Sequence, residues 1–123
     1  MKIAIASDDG KTLSMHFGRA LGFVIVEVEG NEVKSVKYIP NTITPHSRGE
    51  HKEHGEHHGH HHDYILENLK DVEVVIAGGM GRRLFEDLKA AGKKVFVTDE
   101  EDVMEAVDLF LKGELKNLDE LLH

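Results

Sequence analysis

The stretch VVIAGGMGRR, residues 74–83, decides how the rest of the chain is interpreted. Its first four residues form an apolar run too short for a helix, which predicts a strand buried on both faces. The glycines that follow allow a sharp turn and the close approach of another group. Such a strand, turn and helix N-terminus are typical of an anion or cofactor site, although a tight turn without a ligand explains them equally well. The predicted helix begins at Arg82 and has an apolar stripe of Leu84, Phe85, Leu88 and Ala91.

The first third of the chain predicts three strands. Residues 3–6 are apolar on both faces, which favours a central strand. Residues 23–29 and 33–39 flank the turn pair Gly30-Asn31, which predicts a β-hairpin whose second strand forms the sheet edge.

Residues 13–22 lack a clean period and predict a structured loop at a strand end, where binding residues tend to lie. This loop carries His16 and Arg19. A hydrogen-bonded structural histidine is the commoner fate of a residue such as His16, and Arg19 is equally consistent with a surface charge.

The second half of the chain predicts helices that alternate with strands. A short amphipathic helix covers residues 64–69, and a further buried strand covers residues 95–97. Thr98 and Glu101 fit a capping box for a helix that runs to Leu111. Glycines are expected to end the helices, and a last short helix packs on the body or on a second subunit. The glycines are Gly92 and Gly113, and the last helix carries Leu115, Leu118, Leu121 and Leu122.

Composition excludes several classes of function. The 123 residues suffice for one domain, residues 1–123, and a formal charge of −8 argues against a nucleic-acid binder. No apolar run could cross a membrane and no signal peptide is visible, which predicts a cytoplasmic protein. The absence of cysteine removes thiolate nucleophiles and the usual anchors of iron–sulfur clusters. The absence of glutamine and a charged fraction of 31% indicate a thermophilic source.

Residues 46–62 hold eight of the ten histidines and no apolar side chain. Such a segment cannot offset its ordering entropy by packing, which predicts a flexible histidine-rich loop within the domain. Neutral imidazole binds nickel, zinc, copper and iron, so the segment is a candidate metal binder. The alternative is a solvated insertion without a metal role in the cell. The candidate metal ligands are His46, His51, His54, His57, His58, His60, His61 and His62.

Two motifs together carry a resemblance to a known family. One is HFGR, residues 16–19, followed by Phe23, and the other is VIAGGMG, residues 75–81. With them the chain resembles the dinitrogenase iron–molybdenum cofactor biosynthesis family, which includes NifX-like proteins and the C-terminal domain of NifB-like proteins. The resemblance covers the chain from Met1 to about residue 111. It implies a ribonuclease H-like α/β/α fold with a five-stranded mixed sheet in the order 3-2-1-4-5.

The resemblance also implies a non-catalytic carrier of iron–molybdenum cofactor, or of an iron–sulfur precursor, that meets a metallocluster-assembly partner. In this interpretation His16 is a ligand or an anchor, Arg19 pairs with negative charge, and backbone amides around residues 79–81 cradle the cofactor. The implied cofactor-binding residues are His16, Phe17, Gly18, Arg19, Gly78, Gly79, Met80 and Gly81.

Two other classes of function stay open at this point. In one, the protein is a metal- or pH-responsive regulator that docks on a metallocluster-handling partner. The other is an enzyme, but the chain shows no nucleophile–base pairing and no Walker-type loop. Asp8 and Asp9 alone do not supply the two-metal site of a nuclease. The sequence therefore predicts a protein without catalytic activity.

Overall fold

A computed structural model describes residues 1–40 and 69–122. Five strands form one mixed sheet in the order β3-β2-β1-β4-β5. β1 pairs antiparallel with β2 and parallel with β4, so it lies at the centre of the sheet, as predicted. β3 forms one edge next to β2, and β5 lies parallel to β4 at the other end. The strands are β1 (Lys2–Ser7), β2 (Gly22–Glu29), β3 (Glu32–Pro40), β4 (Val74–Ala77) and β5 (Lys94–Val97).

Within the described ranges, two helices cover opposite faces of the sheet. Helix α1 (Arg82–Ala90) contributes Leu84 and Leu88 to one buried cluster. Helix α2 (Val103–Leu111) contributes three apolar residues to the other cluster. Successive residues of β1 and β4 alternate between the two clusters, because side chains of a strand point to opposite faces. The predicted three-layer α/β/α architecture and its strand order are therefore confirmed.

Both helices end at the glycines that the sequence indicates. Gly92 and Gly113 have φ angles of +85° and +75°, which residues with a Cβ atom rarely adopt. The amide that follows each glycine donates to a carbonyl in the last turn, Lys93 to Leu88 (3.2 Å) and Glu114 to Leu109 (2.8 Å). These 6→1 bonds are those of a Schellman motif and satisfy carbonyls that the helix itself leaves unpaired.

The predicted capping box at Thr98 is wrong. Helix α2 begins at Val103, and Asp102 is its N-cap, accepting from the Glu105 amide at 2.9 Å. The preceding residues pair instead with the loop after β1: Glu101 accepts from the Leu13 amide, and Asp102 forms an isolated bridge with Thr12. This long-range pairing keeps residues 98–101 out of the helix. The tertiary contacts therefore override the capping pattern of Thr98 and Glu101.

The predicted last helix is reduced to one 3-10 turn, Asp119–Leu121. Leu121 and Leu122 pack against the buried cluster on the α1 face, so this segment covers the body of the protein. The predicted helix at residues 64–69, apart from Leu69, and the histidine-rich segment lie outside the described residues. Within the ranges that are described, no helix is long and apolar enough to span a membrane.

Candidate functional site

The loops that carry the two motifs leave the same end of the sheet. The parallel strands β1, β4 and β5 end there at Ser7, Ala77 and Val97. The chain leaves β1 toward the hairpin and leaves β4 toward α1, so β1 and β4 are neighbours whose connections diverge. Ligands of open α/β sheets bind at such a switch point, outside the carboxyl ends of the strands. Topology therefore selects the end of the sheet that both motifs share.

Residues 8–13, which begin the loop after β1, are organised by Asp9. Its Oδ1 accepts from the backbone amides of Thr12 and Lys11, both at 2.8 Å, and from the Ser7 hydroxyl at 3.2 Å. The backbone hydrogen bonds from Thr12 and then Lys11 lower the pKa of Asp9 to about 2. The carboxylate is therefore ionised at any physiological pH and fixes the loop at its start.

Residues 14–17 of this loop lie directly against the glycine loop, residues 78–81. The Gly78 amide donates to the Ser14 carbonyl at 2.8 Å, and the Phe17 amide donates to the Gly79 carbonyl at 3.0 Å. Ser14 is in turn held by its own amide, which donates to Ala6 of β1 at 2.7 Å. The two sequence motifs, about 60 residues apart in the chain, are thus joined by a pair of backbone hydrogen bonds.

The contact leaves little room for a side chain at Gly78. A Cβ atom at Gly78 would lie 3.0 Å from the Ser14 carbonyl oxygen and 3.1 Å from the Met15 sulfur. The group that approaches the backbone at Gly78 is therefore the chain itself. The Gly78 amide already donates to the Ser14 carbonyl. Any backbone amides that bind a ligand must therefore belong to the residues after Gly78.

The side chains of the two motifs divide into buried and exposed groups. Phe17 and Met80 are fully buried in the cluster on the α1 face, and the Phe17 ring lies 5.2 Å from the Phe23 ring. His16 and Arg19 are exposed, and Arg19 ends the 3-10 turn Phe17–Arg19, in which Gly18 is the middle residue. Phe17 and Met80 consequently anchor the two loops from inside, whereas His16 and Arg19 present their side chains to solvent.

The glycine loop leads into the N-terminus of α1. Gly81 is the N-cap and makes no side-chain capping bond, and the first turn contains no acidic residue. Two exposed arginines, Arg82 and Arg83, open the helix instead. The amides at a helix N-terminus carry partial positive charge, so this surface combines the helix dipole with two full cations.

Side-chain donors for a metal ion do not form a group at this end of the sheet within the part of the chain that the structure describes. Among the described residues, no three His, Asp or Glu side chains are grouped so that they could hold a metal ion, and the whole chain lacks cysteine. The surface thus suits an anionic group held by positive charge and amides, with His16 as the one imidazole among residues 1–40 and 69–122.

Sequence reasoning missed several residues that shape this end. Tyr38 of β3 lies over Gly22, and its hydroxyl reaches the carbonyls of Ser7 (3.2 Å) and Asp8 (3.3 Å). Burial, followed by the charges of Asp8 and Asp9, raises the pKa of Tyr38. The Asp-Gly sequence at residues 9–10 signals the turn, but no local pattern could have revealed the contact of Tyr38, which spans about 30 residues.

Comparison with known proteins supports one family. The profile of the dinitrogenase iron-molybdenum cofactor family matches residues 1–113. The chain belongs to this family. Its match includes both motifs and all five strands, and it ends at the glycine that closes α2.

Individual proteins resemble the chain over nearly its full length. An uncharacterised protein of Methanocaldococcus jannaschii is 31% identical over 97% of this chain and 92% of its own. A candidate NifB protein from Thermotoga, solved by NMR, is 33% identical, with a TM-score of 0.66 and coverage of 95% and 92%. The apo form of the orange protein from Desulfovibrio gigas is 26% identical, with a TM-score of 0.70 and the same coverage.

Proposed function

We propose that this protein is a non-catalytic carrier that binds a metal cofactor of the iron–molybdenum or iron–sulfur type, or the metal ions of its precursors. The observation that carries the proposal is the first turn of α1. Arg82 and Arg83 occupy positions where acidic residues are favoured, and each misplaced cation costs roughly 0.3–1 kcal/mol. A sulfide-rich cluster is anionic and would turn this unfavourable arrangement into a favourable one.

Each exposed residue has a role in this proposal. The His16 imidazole serves as ligand or anchor, because it is the one metal-binding side chain that the motif exposes. Arg19, Arg82 and Arg83 neutralise the cargo, and backbone amides around residues 79–81 donate to it. Without thiolate ligands the hold is weak and reversible, which suits a carrier that must release its cargo intact.

The family assignment supports the same function. The family takes its name from the dinitrogenase iron-molybdenum cofactor, and the Thermotoga relative is named as a candidate NifB protein. A metallocluster-assembly protein is therefore the partner class that we propose. Carriage requires binding and release but no bond-making chemistry, in agreement with the absence of a catalytic motif in the sequence.

Anaerobic reconstitution tests this function. Untagged protein is incubated with ferrous iron, sulfide and molybdate, desalted, and analysed for retained iron, sulfur and molybdenum. We expect His16→Ala and the double variant Arg82→Ala, Arg83→Ala to lose most of the retained cluster. The matched control, Lys34→Ala with Lys37→Ala, removes the same charge from exposed positions on β3 and should retain it. Equal retention in all of these proteins would contradict the proposal.

A second proposed site is the histidine-rich segment, as a store for nickel, zinc, copper or iron. Its eight imidazoles provide overlapping ligand sets, which favour exchange over one rigid site. Deletion of residues 46–62 separates the two sites, because it removes these ligands and leaves His16 in place. If the deletion abolishes retention of iron and sulfide together with that of nickel, the segment is the metal binder and the carrier proposal fails.

A second candidate function, a metal- or pH-responsive docking protein, is favoured by two exposed apolar side chains. Met15 is 57% exposed and Leu21 is 66% exposed, and both belong to the loop that carries His16. A carrier and a docking protein differ in what controls association. Binding to a NifB-type assembly protein, measured with and without nickel at about pH 7.5 and about pH 5.5, would depend on metal and pH only for the docking protein.

A further inference from the structure

The segment after the family-matched region, residues 114–122, runs along the outer edge of β5; we name it the edge segment. The Asn117 side chain imitates a strand there, because its Oδ1 accepts from the Val97 amide at 2.9 Å and its Nδ2 donates to the Val95 carbonyl at 3.1 Å. The Leu118 amide donates to the Val97 carbonyl at 2.7 Å. Three outward-facing backbone groups of β5 are thus satisfied without a sixth strand.

Leucines of the edge segment reach both faces of the sheet. Leu115 packs against the cluster on the α2 face, whereas Leu121 and Leu122 pack against the cluster on the α1 face. Asn117 lies between them at the strand edge, so the segment packs against the sheet on both faces. This packing brings Leu122 to the glycine loop, where it forms an isolated parallel bridge with Met80.

Met80 connects the edge segment to the candidate site. It lies in the middle of the glycine loop, is fully buried, and belongs to the same cluster as Leu122. One side of the loop is held by Ser14 and Phe17 through the bonds to Gly78 and Gly79. The bridge from Leu122 holds the loop at Met80, the residue after Gly79. Because glycines flank Met80, the loop has little conformational preference of its own, and these outside contacts must fix it.

We propose that the edge segment is a positioning element of the candidate site. Leu122, held in place by Asn117, fixes Met80 and thereby sets the backbone of residues 79–81 that leads into α1. The proposal rests on the proposed function only for the consequence that cluster binding depends on this segment. The dependence of loop order on Leu122 stands without it.

A matched pair of substitutions tests the positioning role. Leu122→Ala and Leu115→Ala remove the same atoms from half-buried positions of the same segment, but of the two side chains only Leu122 packs against the cluster that contains Met80. Amide hydrogen exchange is measured by NMR in metal-free protein at Gly79 and Gly81, with amides of β1 as an internal reference. We expect exchange at the loop to rise about tenfold more in Leu122→Ala than in Leu115→Ala, while exchange in β1 changes equally in both.

Rescue and cluster retention complete the test. Leu122→Met keeps most of the side-chain volume and should restore slow exchange at the loop, which also gives a reading if Leu122→Ala fails to fold. Equal loop exchange in the two alanine variants, or loop exchange in Leu122→Met that stays as fast as in Leu122→Ala, would overturn the positioning role. If wild-type protein retains no iron and sulfide while the exchange contrast holds, the proposed function fails and the positioning role stands.

Discussion

Among the described residues, the chain covers one edge of its sheet and leaves the other edge exposed. At β5 the edge segment, residues 114–122, supplies the Asn117 amide and the Leu118 N–H to outward-facing groups of the strand. At β3 every residue except the half-buried Ile39 is exposed, and no described residue outside β2 pairs with the strand. The covered edge belongs to the half of the sheet that carries the glycine loop.

The exposed edge carries features that discourage pairing with other chains. The register between β2 and β3 shifts at Glu27 and Val28, and β3 ends at Pro40. Lysines at positions 34 and 37 place charge along the strand. Bulges, lysine and proline are devices by which proteins prevent edge-to-edge aggregation. At β5, the strand edge near the site, bound chain blocks pairing with another strand. At β3, the edge farther from the site, lysine charge, a register shift and a terminal proline discourage such pairing.

The largest expected effect comes from one substitution made at both edges. Val95 of β5 is 4% exposed and Val36 of β3 is 50% exposed. Val95→Ala should lower the free energy of unfolding by about 2–3 kcal/mol, because it removes two buried methyl groups and leaves a cavity, whereas Val36→Ala should cost about 0.5 kcal/mol. Urea denaturation monitored by circular dichroism measures both. Equal losses would show that β3 is covered in solution.

A second substitution removes the side-chain hydrogen bonds of Asn117 at the covered edge. Asn117→Ala deprives the Val97 amide and the Val95 carbonyl of partners at a site that water can partly reach, and should cost about 1–2 kcal/mol. Ser35→Ala, at an exposed position of β3, serves as the control and should cost less than about 0.5 kcal/mol. A loss for Asn117→Ala no greater than that of the control would mean that the edge segment is held by its leucines alone.

The same contrast explains which features the sequence could predict. Apolar runs and glycine stops locate β1, β4, α1 and α2 because burial and backbone conformation are local requirements. The capping box at Thr98 failed because residues 11–13 pair with residues 101–103, a contact that no local pattern encodes. The edge segment was predicted as a helix from its leucine spacing, yet the hydrogen bonds of Asn117 to β5 hold it along the strand.

The candidate site shows the same division. The proximity of the two motifs was predicted through the family resemblance, since backbone bonds between residues 14–17 and 78–79 join segments distant in the chain. The directions of the side chains were not predicted. Phe17 and Met80 lie within motifs interpreted as cofactor contacts, but both are fully buried, because a motif lists residue types and not the face to which each one points. A helix was predicted to begin at Arg82, and α1 does begin there, but neither arginine was among the residues implied to bind the cofactor.

A third test removes the charges that guard β3. Lys34→Val with Lys37→Val makes the edge apolar and should promote self-association at micromolar concentration, measured by sedimentation velocity, while the free energy of unfolding changes by less than about 0.5 kcal/mol. The ion pair of Lys34 with Glu32, 3.2 Å long, is exposed and contributes little. Lys112→Val with Lys116→Val alters the net charge equally at a distance from β3. Association of that control as well would assign the effect to net charge.

The smallest expected effect concerns the tie between β3 and the loop after β1. Tyr38 binds the carbonyls of Ser7 and Asp8, next to the turn that Asp9 organises. The pKa of Asp9 is lowered from 3.8 to about 2 in the folded protein, so its contribution to stability is complete above about pH 4 and is lost as the pH falls toward 2. Asp9→Asn should therefore be less stable than wild type by a constant amount from neutral pH down to about pH 4, and the difference should shrink below that. Denaturation at a series of pH values measures it. A difference that already shrinks well above pH 4 would contradict the assignment of this effect to the Asp9 carboxylate.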